Sequence, residues 1–145
     1  MGGHATHLKE MQPCIDVCNH CHATCLQTAM IHCLDTGGKH VGADHFRLMM
    51  SCAELCQTSA NFQLTGSSFH VALCGICADV CEACAKSCEA VGGMEDCVKA
   101  CRDCAASCRK MSVKNGSAFP IPPGLALKRP GTDGACSEGS GRRDL

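Results

Sequence analysis

Fifteen of the seventeen cysteines in this 145-residue chain recur every three or four residues. They form four runs: Cys14, Cys18, Cys21 and Cys25; Cys52 and Cys56; Cys74, Cys77, Cys81, Cys84 and Cys88; Cys97, Cys101, Cys104 and Cys108. Cys33 is out of step but is expected to join the other fifteen as a metal ligand from one turn away, and Cys136 stands apart near the C-terminus. Steps of four and three keep side chains on one face of an α-helix, which turns once in about 3.6 residues. Residues so spaced have Cβ atoms about 5–6 Å apart, so two thiolates can grip one ion and the next pair lies one turn further on. Thiolates select Cu(I), zinc or iron–sulfur clusters. Zinc favours a closed tetrahedron, usually from Cys-x-x-Cys pairs on loops. Iron–sulfur clusters need four thiolates around a bulky core, often with a Cys-Pro, which is absent here. A continuous sulfur ladder suits Cu(I) best, because each monovalent ion balances about one thiolate charge.

Neutral soft donors prolong the stripes. Met11 lies three residues before Cys14, Met94 three before Cys97, and Met111 three after Cys108. His70 precedes Cys74 by four, His45 and Met49 lead into Cys52, and His32 continues the first stripe beyond Cys25. These seven are candidate ligands where an ion would be taken up, since thioethers bind Cu(I) without losing a proton. The competing reading makes the methionines caps on a hydrophobic core and the histidines structural hydrogen-bonding groups. His4, His7, His20, His22 and His40 receive no assignment. For the cysteines the competing readings are inert buried thiols or disulfide staples. A bundle needs two or three staples, not fifteen cysteines in register, and cysteine fills a core poorly beside leucine.

Four helices must position these stripes. The first is expected to open at Pro13, a good first helical residue, and to run to about Leu34 before Asp35-Thr36-Gly37-Gly38. The second starts near Ala43 with Asp44 as N-cap and reaches Leu64. A third runs from an N-cap at Ser67 or Ser68 to Val91, and a fourth from about Met94 to Met111. Short connections favour antiparallel neighbours, so the expected fold is all-α, an up-down-up-down four-helix bundle with a cysteine-lined core. Residues 1–12 are expected as an arm or short helix, 13–112 as the bundle, and 113–145, rich in Gly, Pro and Ser, as a flexible tail. Cys136 falls in that tail as an incidental thiol. Residues 81–88 and 101–108 share the spacing Cys-x-x-Cys-x-x-x-Cys. The charges around them, Asp79, Glu82, Lys86, Glu89, Lys99, Arg102, Asp103 and Arg109, read as a solvated face.

Composition narrows the function classes. Leu, Ile, Val and Phe make up 25 of 145 residues, below the roughly 20% at which a chain of high net charge tends to disorder. Net charge is −1, however, and free cysteine behaves as a small hydrophobe, so thiols stand in for the missing aliphatic core. With no Trp, no Tyr and near-neutral charge, stacking on bases is not available and nucleic acid is not an expected partner. No apolar run approaches the roughly 18–20 residues of a membrane span. The first ten residues carry neither an apolar export segment nor a twin-Arg, so the chain is expected in the cytoplasm with its thiols reduced. No cysteine is marked out as an exposed, low-pKa nucleophile, so no enzyme activity is expected.

On this pattern the chain resembles the bacterial copper storage proteins, four-helix bundles whose interior cysteines bind many Cu(I) ions. The resemblance covers about residues 13–111. It rests on the all-helical Cys-x-x-x-Cys and Cys-x-x-Cys ladder and on Cys-Ala-Asp-Val-Cys-Glu-Ala-Cys-Ala-Lys-Ser-Cys at 77–88. It implies Cu(I) as multi-ion cargo for copper homeostasis and detoxification, membership of the family's cytosolic branch, and a homotetramer. Storage also calls for a copper donor or acceptor protein. Two features depart from a full ladder: the second helix carries only Cys52 and Cys56, with Ser59 further along, and the tail is long. The alternatives are a general thiolate buffer for zinc, a thiol redox protein, and a disulfide-stapled helical protein. Burial keeps thiols protonated and apolar, so the bundle is expected to be folded before metal arrives.

Overall fold

The computed structural model describes residues 2–114, and the side chains of 9–112. Residues 115–145, with Cys136 and most of the expected tail, lie outside the described residues. Helix α1 runs from Gly2 to Gln27 and continues through a π-helical turn, Thr28–Cys33, into a last α-turn at Leu34–Thr36. After a 3₁₀ turn at Gly38–Val41 come α2 (Ala43–Leu64), α3 (His70–Val91) and α4 (Glu95–Lys114). Each helix packs on its neighbours in sequence, and α1 also packs on α4, which closes an antiparallel four-helix ring.

Three boundaries differ from the sequence reading. Pro13 lies inside α1 instead of opening it. Proline there deletes the hydrogen bond to the carbonyl of residue 9, a cost of about 3 kcal/mol in a helix interior. The turns before it are held because Met11 is fully buried in the bundle. Asp44 is not the cap of α2: Gly42 occupies that place, and Asp44 sits in the first turn, where its charge complements the helix dipole. Phe69 occupies the N-cap of α3, while the Ser67 hydroxyl accepts from the Phe69 N–H at 3.1 Å. The α3–α4 link is Gly92-Gly93, both with positive φ (90° and 77°), a region that only glycine adopts without strain.

The core contains little besides sulfur and small residues. All sixteen cysteines from Cys14 to Cys108 are at most 2% exposed. Ala53, Ala78, Ala85 and Ala105, each one residue after a cysteine, are buried beside them, and small residues let helices approach closely enough for thiols on four faces to meet. On the outside, the charges read as merely solvated tie α3 to α4: Arg102 pairs with Glu89 at 2.7 Å, and Arg109 with Asp79 and Glu82 at 3.0 Å each. Exposed pairs of this kind add about 0–1 kcal/mol each. Among the described residues, no helix is long and apolar enough to cross a membrane.

Candidate metal centre

The 4-3-4 spacing turns each cysteine run toward the bundle axis, and the antiparallel ring brings the four runs face to face. Sulfur–sulfur contacts then form within helices, as between Cys21 and Cys25 at 3.8 Å, and between them. Cys25 lies 3.3 Å from Cys97, Cys18 lies 3.5 Å from Cys108, and Cys56 lies 3.4 Å from Cys81. Five groups have all their sulfurs within 4.8 Å of one another: Cys14/Cys74/Cys108, Cys18/Cys77/Cys104/Cys108, Cys21/Cys56/Cys81/Cys104, Cys21/Cys25/Cys52/Cys101 and Cys25/Cys84/Cys97/Cys101. Successive groups share members, so they form one unbroken column along the axis. Cys88 joins it through Cys97 at 3.8 Å. All sixteen thiols are free, so the disulfide-stapled reading finds no pairing among the described residues.

The thiols do not hold their protons equally. Cys25, Cys56 and Cys108 are held above the ordinary thiol range, first by contacts with Cys101, Cys104 and Cys104 in turn, and burial acts in the same direction. Contacts first with Cys101 and Cys108 hold Cys52 and Cys104 below that range, against the effect of burial.

The two ends of the bundle differ. At the end formed by the start of α1 and the close of α4, Met11 and Met111 are buried beyond Cys14 and Cys108. There α2 supplies Ser59 and Gln63, both fully buried, in place of further thiols. Ser59 Oγ lies 3.8 Å from Cys18 Sγ and 3.7 Å from Cys74 Sγ, and Gln63 Nε2 donates toward Cys14 Sγ at 3.6 Å. His70 is buried with Nδ1 2.8 Å from the Ser67 carbonyl, an anchoring contact for the start of α3.

At the opposite end, the out-of-step Cys33 reaches the core through the π turn. A π turn closes i→i+5 hydrogen bonds and so takes in an extra residue, which moves the inward position from 32 to 33. Cys33 is fully buried and His32 exposed, so His32 does not continue the interior stripe as the spacing suggested. The Cys33 sulfur lies 3.7 Å from Met49 Sδ and 3.6 Å from Met94 Sδ. Met49 and Met94 are buried, as expected of stripe positions. Burial first, then the charge of Cys97, pushes the Cys33 thiol up. His40, to which the sequence assigned nothing, places Nδ1 3.9 Å from the same sulfur. It sits in a 3₁₀ turn, where helical periodicity carries no signal. His45 is buried with Nδ1 2.7 Å from Ser87 Oγ, and burial holds it below the usual imidazole range.

The family model described as copper storage protein matches residues 3–113. The crystal structure of the Nmul_A1745 protein from Nitrosospira multiformis is 62% identical, with a TM-score of 0.72 over 73% of this chain and 97% of that one. The Cu(I)-bound copper storage protein BsCsp3 is 32% identical, with a TM-score of 0.67 over 72% of this chain and 99% of its own. An uncharacterized cysteine-rich protein, YhjQ of Bacillus subtilis (strain 168), is 35% identical over 66 residues, which is 46% of this chain and only about half (54%) of that relative.

Proposed function

The chain belongs to the copper storage protein family, and from that premise we propose that it stores multiple Cu(I) ions on the thiolates of its sixteen buried cysteines. The observation that carries this reading is the unbroken column of overlapping thiol groups. A thiolate–metal bond is about 2.3 Å long, so three sulfurs around one ion lie about 4.0 Å apart; the column's contacts of 3.3–4.0 Å need only small adjustments. The core is dry, and uncompensated charge there is costly, so each Cu(I) that enters replaces about one proton and leaves the interior neutral. Divalent zinc on the same ladder would leave surplus charge or empty thiols, which weighs against the zinc-buffer reading. Turnover is not required of such a site; the role is storage, which keeps Cu(I) from redox cycling and from other metal sites.

Thiols must be reduced to bind Cu(I), which fits the reducing cytoplasm as the working compartment. Met30, Ile31 and Leu34 leave an exposed apolar run at the close of α1, consistent with the homotetramer expected of the family. A copper donor or acceptor protein completes the role. Anaerobic titration of the reduced chain with Cu(I) against a strong chelator tests the function. On the order of one Cu(I) per buried thiol is expected from charge balance, whereas uptake of only one or two ions per chain would defeat storage. The same titration in competition with Zn(II) decides against the general buffer.

A further inference from the structure

Residues 115–145 follow the close of α4, and the family match ends at residue 113. Most of this extension is polar or glycine, but residues 118–127 read Ala-Phe-Pro-Ile-Pro-Pro-Gly-Leu-Ala-Leu, with no charged or hydrogen-bonding side chain. Beside the point where it leaves α4, a groove of about 780 Å³ runs between α1 and α4. Pro13, Cys14, Ala105, Ala106 and Met111 line it, with Lys110 beside them. We propose that residues 118–123 fold back into this groove as a strap over the Cys14 end of the sulfur column.

Reach and chemistry agree. Met111 lies about one turn before Lys114, and Ala105 about 14 Å back along α4. Asn115, Gly116 and Ser117 are turn-forming residues, and six extended residues span about 19 Å, enough to run the length of the groove. The cleft at Gly92 and Gly93 lies about 28 Å away at the other end of α4, beyond Phe119 and Ile121 at about 3.5 Å per residue. Burying those two side chains is favourable in proportion to the apolar area removed from water. Pro120, Pro122 and Pro123 have φ fixed by their rings, so docking costs less backbone freedom than it would for an ordinary chain, as in other proline-rich segments that seat in grooves. The groove is also where the core comes nearest to solvent. Met111 is 8% exposed, the most of any buried apolar side chain among the described residues, and Cys14 is 2% exposed against 0% for the other fifteen buried cysteines. Cys14, with Cys74 and Cys108, ends the column, so a strap here shuts thiol-reactive solutes out of its last level.

The strap needs no copper, so its test uses the reduced, metal-free, full-length chain and leaves the storage reading untouched. A Phe119→Ser/Ile121→Ser double variant changes only residues outside the four helices. With the methionine methyl groups labelled, the Met111 NMR signal is expected to sense the Phe119 ring and to move in the double variant. The signal of exposed Met30, at the opposite end of the bundle, stays in place. Brief treatment with a small alkylating agent, followed by peptide mass mapping, should modify Cys14 about tenfold faster in the variant, the protection lost with a strap closed about nine-tenths of the time. Fully buried Cys52 serves as the reference. A Met111 signal and a Cys14 rate that are the same in both chains would overturn the strap. So would a Met111 signal that shifts with protein concentration alike in both chains, which would put a second copy of the chain in the groove.

Discussion

Ser59 stands on α2 where the ladder would carry its next thiol, with its hydroxyl 3.8 Å from Cys18 Sγ and 3.7 Å from Cys74 Sγ. Oxygen is a hard, neutral ligand there, and Cu(I) gains little from it. Ser59→Cys puts a thiolate between two existing sulfurs and should raise capacity by about one Cu(I) per chain, read by the same anaerobic titration; an unchanged complement would mean that sulfurs at this end do not bridge ions. The individual cysteines were legible in the sequence because spacing alone places them on a face. Individual histidines were not. His70 spends its Nδ1 on a backbone carbonyl, His45 bonds Ser87 on α3, and His40 meets Cys33 from a turn. Those partners lie on other segments or outside any regular helix, so no periodicity announces them.

Helix α1 departs twice from regular geometry, and the second departure keeps its stripe on the core. Pro13 sits within it, so Pro13→Ala should restore a main-chain hydrogen bond and raise the stability of the reduced, metal-free chain by about 1–3 kcal/mol. Denaturant unfolding measures this, and a destabilised variant would contradict a continuous helix through residues 2–27. The π turn is the second departure. From Cys25 the steps of four to Ala29 and to Cys33, both buried, would drift around an α-helix by about 40° each; widening the turn absorbs that drift. Read as a plain α-helix, the sequence puts His32 inside, which is why His32 was favoured and Cys33 appeared out of step. The other helices obey the regular rule, and their extents matched the sequence to within a few residues.

At the scale of the molecule, the protonated core is apolar and the helices are complete without an ion. Circular dichroism of the reduced, metal-free chain should therefore show a helical protein, and a random-coil spectrum would sink the preformed bundle. Loading replaces thiol protons with Cu(I), so protons are released on binding. Below the range in which thiols ionise freely, acid favours the proton over the metal, and the apparent Cu(I) affinity should fall as pH is lowered. A chelator competition run at two pH values measures the trend; a pH-independent affinity would argue that the thiols are already ionised. The sequence by itself determined the helices, the faces that carry sulfur and the preference for a soft metal ion, because each follows from spacing along one chain and from ligand chemistry. Only the tertiary structure decided which thiols share a level of the column, that Ser59 and Gln63 close one end, and that Cys33 leaves the ladder for Met49, Met94 and His40. Those are meetings between segments far apart in sequence, and they depend on how four helices and two turns pack around a common axis.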